Sequence, residues 1–136
     1  MEILIKEYIE YNEEEILHLY QSVGWINYVN NPKMLRNAYA NSLKILGAYE
    51  SEKLVGIIRT VGDGSSIVYI QDIVVLPEYQ RQGIGRTLLK EILERYQNVY
   101  QKILFTDNTE RTIRFYKSVG FEMDTDIECR AFMKIY

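Results

Sequence analysis

The sequence predicts an α/β fold in which helices flank one mixed β-sheet. Three observations lead there. An alternating opening run gives way to helical spacing before residue 42. Strand-like runs then follow one another from residue 43 to residue 75. Beyond Pro77, helical and strand patterns take turns to the end of the chain.

Residues 2–9 alternate, with Ile3, Ile5 and Ile9 on one side, as a half-buried strand does. Asn12 is placed to cap a helix whose apolar positions are Ile16, Leu17, Leu19, Tyr20 and Val23, and Gly24 ends it. Trp25 to Asn31 reads as an aromatic loop, and Pro32 opens a second helix running to about Ser42. Leu43 to Tyr49 and Leu54 to Val61 form a hairpin across the polar turn at residues 50–53. Ile67 to Val75 is almost continuously apolar, which predicts a central strand covered on both faces. Gln71 and Asp72 interrupt that run, and polar groups in a buried strand need partners. A helix with the stripe Ile84, Leu88, Leu89, Ile92, Leu93 and Tyr96 comes next. A short strand at Ile103 to Thr106 precedes a helix from Glu110 to Val119, closed by Gly120 with Phe121 as the apolar cap contact. Two short strands, near Glu122 and from Cys129 to Ile135, complete the expected order.

A chain of 136 residues fits one domain, 1–136, and buries a core without staples. Apolar residues make up 47% and charged residues 26%, ordinary for a globular protein, and no apolar run is long enough to span a bilayer. The acidic residues among the first ten do not read as a signal peptide, so the expected setting is cytoplasmic. With one cysteine, Cys129, neither an internal disulfide nor a cysteine-based zinc site can form, and no metal site is expected. The net charge of −3 argues against nucleic acid as a partner. It is unevenly spread. Arg81, Arg86, Lys90, Arg95, Lys102, Arg111, Arg114 and Lys117 cluster in the second half, which suits a small polyphosphate.

The segment from Gln80 through Arg81, Gln82, Gly83, Ile84 and Gly85 to Arg86 joins a buried strand to a helix. Glycine lets the backbone approach a ligand closely, and the helix start directs N–H groups and a positive dipole end into the turn. A pyrophosphate suits that environment. The phosphate loop of nucleoside triphosphatases ends in Gly-Lys-Ser/Thr, which is missing here. A dinucleotide fingerprint needs a third glycine where Leu88 stands, and it starts nearer its strand.

The strand, the proline and Gln80-x-x-Gly83-x-Gly85 together resemble the pyrophosphate motif of the GNAT acetyltransferase superfamily. Arg114-Phe115-Tyr116-Lys117-Ser118-Val119-Gly120-Phe121 is similar to its Phe-Tyr-x-x-x-Gly-Phe element. Order and separation of the two agree with the family, so the resemblance covers essentially the whole chain. It implies a mixed, mostly antiparallel sheet whose central parallel strands splay apart. Acetyl-CoA would lie in the gap, with its pantetheine arm along Ile73, Val74 and Val75 and contacts from residues 80–86, Phe115 and Tyr116. Many members carry an asparagine seven residues before the tyrosine. Here that position is Thr109, with Asn108 beside it, and either is able to serve.

Acetyl transfer to an amine needs a neutral nucleophile, a polarised carbonyl and a proton for the departing thiolate. The resemblance gives the proton to Tyr116, and a phenol with a pKa near ~10 is suited to that task. A backbone N–H near Val74 or Val75 would polarise the carbonyl. Asp72 is the candidate base, acting through a water; equally, it orients a substrate cation or pairs with Arg59 on the neighbouring strand. His18 fits a surface or half-buried packing role, and Cys129 a place in a strand. The acceptor pocket is expected from Trp25, Tyr28 and Arg59, with Arg59 suited to a substrate carboxylate. The acceptor is a small-molecule or peptide amine, and the closing strands are able to pair across a homodimer. A non-catalytic acyl-CoA sensor of the same fold and a dinucleotide-binding module are the rival readings.

Overall fold

The computed structural model describes residues 2–135. They fall into two compact units, 1–105 and 106–136. The first unit holds five strands: β1 (Ile3–Glu7), β2 (Lys44–Glu50), β3 (Lys53–Gly62), β4 (Ile67–Val75) and β5 (Gln101–Leu104). They lie side by side in sequence order; the first four pair antiparallel, and β4 pairs with β5 in parallel. Helices α1 (Glu13–Ser22), α2 (Ile26–Val29), α3 (Pro32–Ala40) and α4 (Ile84–Arg95) belong to this unit, and α5 (Glu110–Ser118) to the second. This is the mixed, mostly antiparallel sheet flanked by helices that the sequence predicts.

Local chemistry explains most boundaries. Asn12 caps α1, its Oδ1 accepting from the Glu15 N–H at 3.2 Å, and Glu13, Glu14 and Glu15 complement the positive helix end. Pro32 opens α3. The hairpin turn is tighter than the four-residue loop expected: Glu50 pairs with Lys53, and Ser51 takes φ 56°. Residues 25–31 are likewise not all loop, because Ile26–Val29 closes one helical turn, α2.

The core forms where α1 and α4 cover the sheet. Ile16, Leu19 and Tyr20 of α1 and Leu88, Leu89 and Ile92 of α4 are fully buried. Truncating such a leucine to alanine costs about 2–5 kcal/mol. The strand buried on both faces is β3, buried from Leu54 to Thr60, rather than β4. Its neighbours β2 and β4 run nearly its full length, whereas β5 covers only four residues of β4. Burial along β4 alternates instead, with Val68, Ile70, Asp72 and Val74 on the covered face.

In the second unit, α5 ends in a paired-hydrogen-bond glycine cap. The Phe121 N–H donates to the Tyr116 carbonyl at 3.1 Å and the Gly120 N–H to the Lys117 carbonyl at 3.1 Å, with Gly120 at φ 101°. The Tyr116 and Phe121 rings meet edge to face at 6.0 Å, the apolar contact expected of that cap. The two closing strands expected near Glu122 and over Cys129–Ile135 are not formed among the described residues. The segment carries instead a 3-10 turn, Asp124–Ile127, and Phe132 is 91% exposed. Alternation of apolar residues favours a strand, but a strand also needs a neighbour to take its backbone hydrogen bonds, and no strand pairs with this segment among the described residues.

Candidate functional site

β4 and β5 stay paired only from Ile67–Gln101 to Ile70–Leu104. Beyond that point β4 continues through Val75 with β3 on one side and, among the described residues, no strand on the other. The Leu76 N–H donates to the Val55 carbonyl at 2.9 Å, so Leu76 faces β3. Backbone direction alternates along a strand, so Val74 faces β3 as well, while the polar groups of Ile73 and Val75 face the vacated edge. The Val75 carbonyl accepts from Gln80 Nε2 at 3.0 Å, which agrees with that assignment. The splay leaves a ladder-like row ready to pair with an extended ligand.

The glycine turn begins where this edge ends. A 3-10 turn, Pro77–Tyr79, leads to Gln80, and Gly83 at φ 84° is the residue before α4. Arg81 also has positive φ, 63°. The Gly83 carbonyl accepts from the N–H and the hydroxyl of Thr87, at 3.0 and 2.9 Å, which fixes the first helical turn. The amides ahead of Thr87 belong to the first turn, which has no carbonyls of its own helix to bond. A Cβ placed on Gly83 would meet no atom within 4 Å, and one on Gly85 would meet only Val75 Cγ2 at 3.9 Å. Gly85 has neither positive φ nor a crowded neighbour, so the fold itself does not require a glycine there. Open space over a helix N-terminus, kept bare by two glycines, suits a pyrophosphate. Leu88, where a dinucleotide fingerprint has its third glycine, is fully buried core.

β4 also carries a β-bulge. Arg59 pairs with Asp72 and Thr60 with Ile70, so Gln71 has no residue opposite it. Asp72 is 2% exposed and Arg59 4%, and Arg59 Nε donates to Asp72 Oδ2 at 2.8 Å. The Tyr20 hydroxyl donates to the same oxygen at 2.8 Å and lies 3.0 Å from the Tyr39 hydroxyl. The Tyr28 hydroxyl donates to Asp72 Oδ1 at 3.3 Å and accepts from Gln71 Nε2 at 3.3 Å. Arg59 donates further to Ser42 Oγ at 3.2 Å and lies 5.6 Å from the Tyr39 ring centre. Burial works against the Arg59 cation, and the Asp72 charge beside it more than restores it, raising its pKa. Burial, reinforced by Asp72, pushes the Tyr20 phenol far above its ordinary value. Tyr39 is raised too, mainly by burial.

The two polar residues of the apolar run thus have partners. Of the alternatives open for Asp72, the ion pair with Arg59 is the contact present. The expected acceptor residues also converge: Trp25, 36% exposed, packs its ring 6.1 Å from that of Tyr28, and both lie edge-on to Tyr20. Tyr20 and Tyr39 were hidden in the sequence because each fits the apolar stripe of its helix. The unmet need of a buried Asp72 was the one signal pointing to them. His18 and Cys129 are exposed.

In the second unit, Tyr116 packs against Phe115 at 5.0 Å. Burial raises its pKa, and a hydrogen bond with Thr106 partly offsets the rise. Thr109 caps α5, its Oγ1 accepting from the Thr112 N–H at 3.3 Å, while Asn108 is exposed. No group of acidic, histidine or cysteine side chains able to hold a metal is found among the described residues, and no described helix is long and apolar enough to cross a membrane.

A family model described as an acetyltransferase (GNAT) domain matches residues 7–135, across both units. The chain is similar to an uncharacterized N-acetyltransferase, ycf52, of Gracilaria tenuistipitata var. liui, with 34% identity over 134 residues that cover 90% of this chain and 71% of that protein. Among solved structures, a GNAT family acetyltransferase from Streptococcus pneumoniae TIGR4 is 44% identical, with a TM-score of 0.90 over 99% of this chain and 98% of that one. The PaiA N-acetyltransferase of Thermoplasma acidophilum, solved in complex with coenzyme A, shares the fold at 20% identity, with a TM-score of 0.76 over 90% of this chain and 91% of that one.

Proposed function

The chain belongs to the GNAT acetyltransferase superfamily, and from that membership we propose that it transfers the acetyl group of acetyl-CoA to the amine of a small molecule or peptide. The observation that carries this reading is the unpaired edge of β4 beyond Ile70, which ends at the open glycine turn before α4. The backbone groups of Ile73 and Val75 would bond the pantetheine arm as a neighbouring strand would. The turn from Gln80 to Arg86, with Gly83 and Ile84 at its centre, would hold the pyrophosphate against the first amides of α4. Coenzyme A in the Thermoplasma relative's structure supports the choice of ligand.

The thioester supplies an activated acetyl group when bound. An N–H on the open edge of β4, that of Val75 in the first place, would stabilise charge on its carbonyl oxygen. Tyr116 would hold the proton that the departing thiolate takes. Its raised pKa keeps the hydroxyl protonated throughout the neutral range. We assign Asp72 a positioning role, because both its oxygens already accept from Arg59, Tyr20 and Tyr28. The surplus proton of the amine then leaves to water. Of the two residues near the family's asparagine position, Asn108 is the better candidate for a cofactor contact, since the Thr109 hydroxyl caps its helix. A cytoplasmic setting is part of this reading and suits the lone thiol of Cys129.

Thermal unfolding with added ligand tests it. A ligand at about 100 times its Kd that binds only the folded state adds roughly 2.7 kcal/mol. Stabilisation by acetyl-CoA and none by NAD is expected. Silence with acetyl-CoA would sink the reading. Stabilisation without turnover against any amine would leave an acyl-CoA sensor.

A further inference from the structure

The groups that gather where β4 leaves β5 differ in charge according to depth. Those that reach solvent are uncharged: Trp25, Tyr28 and Gln71, with Tyr69 half-buried and edge-on to Phe105 at 5.8 Å. The charged pair, Arg59 and Asp72, lies beneath them and is closed upon itself. Arg59 Nε is held by Asp72 and its Nη1 by Ser42, at 4% exposure. The bulge at Gln71 lies within this wall, where one hydroxyl, that of Tyr28, bonds both Gln71 and Asp72. That bond, with the Tyr20 and Trp25 ring contacts, fastens the four-residue α2 beside the open edge.

Such a wall discriminates by chemistry. A carboxylate or phosphate arriving on it would lose water and meet aromatic rings and one amide, with Arg59 already paired below. A second ammonium group would find no exposed carboxylate among these residues. A flat or apolar body gains from stacking on the Trp25 and Tyr28 rings, and Gln71 offers it a polar anchor. The geometry points to one acceptor class: a primary amine carried on an uncharged aromatic or apolar body, with no carboxylate beside the nitrogen. The inference rests on the acetyl transfer proposed above, and it reverses the expectation that Arg59 binds a substrate carboxylate.

A matched set of acceptors tests it with the purified protein and saturating acetyl-CoA, following thiol release. 2-Phenylethylamine, phenylalanine and spermidine present one aromatic body without and with a carboxylate, and a polycation. The kcat/KM for 2-phenylethylamine is expected to exceed both others by about tenfold or more. Trp25→Ala and Gln71→Ala should each raise KM for that amine about fivefold and leave KM for acetyl-CoA within about twofold. Gln71 is exposed, so its variant reads the wall even if Trp25→Ala disturbs folding. Equal or better use of phenylalanine or spermidine overturns the inference, as does an unchanged amine KM in Gln71→Ala. Failure to use 2-phenylethylamine while acetyl-CoA still raises the melting temperature overturns it too. If acetyl-CoA produces no such rise, the transfer reading fails and the inference falls with it.

Discussion

Replacing Asp72 by asparagine separates structure from catalysis at the centre of the first unit. The wild-type carboxylate is 2% exposed and accepts from Arg59, Tyr20 and Tyr28. Asparagine keeps the shape but removes the charge, leaving the guanidinium buried at 4% exposure without its counter-ion. It also turns one acceptor into an NH2 group that faces existing donors. Removing one partner of a buried pair costs about 3–5 kcal/mol, mostly the penalty of the stranded charge. Against a total stability of about 5–15 kcal/mol, that is a large fraction. The midpoint of thermal unfolding should fall by roughly 10–15 °C. Urea unfolding at pH 7, followed by circular dichroism, measures the loss directly. The double variant Arg59→Met with Asp72→Leu should recover much of it, since two apolar groups leave no unpaired charge. A stability loss below about 1 kcal/mol, together with a collapse of kcat, would refute this account. Asp72 would then be the proton acceptor rather than the partner of Arg59.

Three further outcomes follow from the same geometry. Gly85→Ala should leave acetyl-CoA affinity near that of the parent and stabilise α4 by up to about 1 kcal/mol. Gly83→Ala should cost about 1–2 kcal/mol because φ there is 84°; urea titration beside ligand-induced thermal shifts reads both. Tyr116→Phe should lower kcat with little change in acetyl-CoA affinity, and the parent rate should show no tyrosine-linked decline below about pH 10, because the phenol's pKa is raised; unchanged turnover would return Tyr116 to packing alone. Tyr20 and Tyr39 have raised folded-state pKa values, so the stability they lend is complete below the unfolded phenol value and declines above about pH 10. Each should withdraw about 1 kcal/mol between pH 10 and 11, the slope approaching about 1.4 kcal/mol per pH unit above that, visible as a falling urea midpoint that Tyr20→Phe makes shallower.

The sequence was most legible where one local rule acted alone. Asn12 before an apolar stripe, Pro32 at a helix start and Gly120 followed by Phe121 each specify a boundary through backbone hydrogen bonds, and each is found as expected. The glycine turn was legible for the same reason: Gly83 needs positive φ, and its partner Gly85 stands out against helix propensity. Reading failed where the outcome depends on what lies alongside. The run Ile67–Val75 looked buried on both faces, yet its burial alternates, because one face of β4 is covered more fully than the other. Cys129–Ile135 has the pattern of a strand, but pattern supplies no neighbouring ladder.

The bulge at Gln71 was invisible for a deeper reason, since register is a property of two strands and neither contains it. It also lies where the parts of the site meet. Gln71 is exposed and Asp72 buried, and the Tyr28 hydroxyl bonds both. Through that hydroxyl a buried ion pair is fastened to a short helix at the surface. That fastening occurs just past Ile70, the last residue of β4 that β5 covers. The bulge and the splay are therefore adjacent features of one strand. The bulge lies in the wall proposed for the acceptor, and the unpaired edge that follows is the stretch proposed for the cofactor. The polar pair that interrupts an otherwise apolar run is the sequence trace of that arrangement, and its function follows from the register.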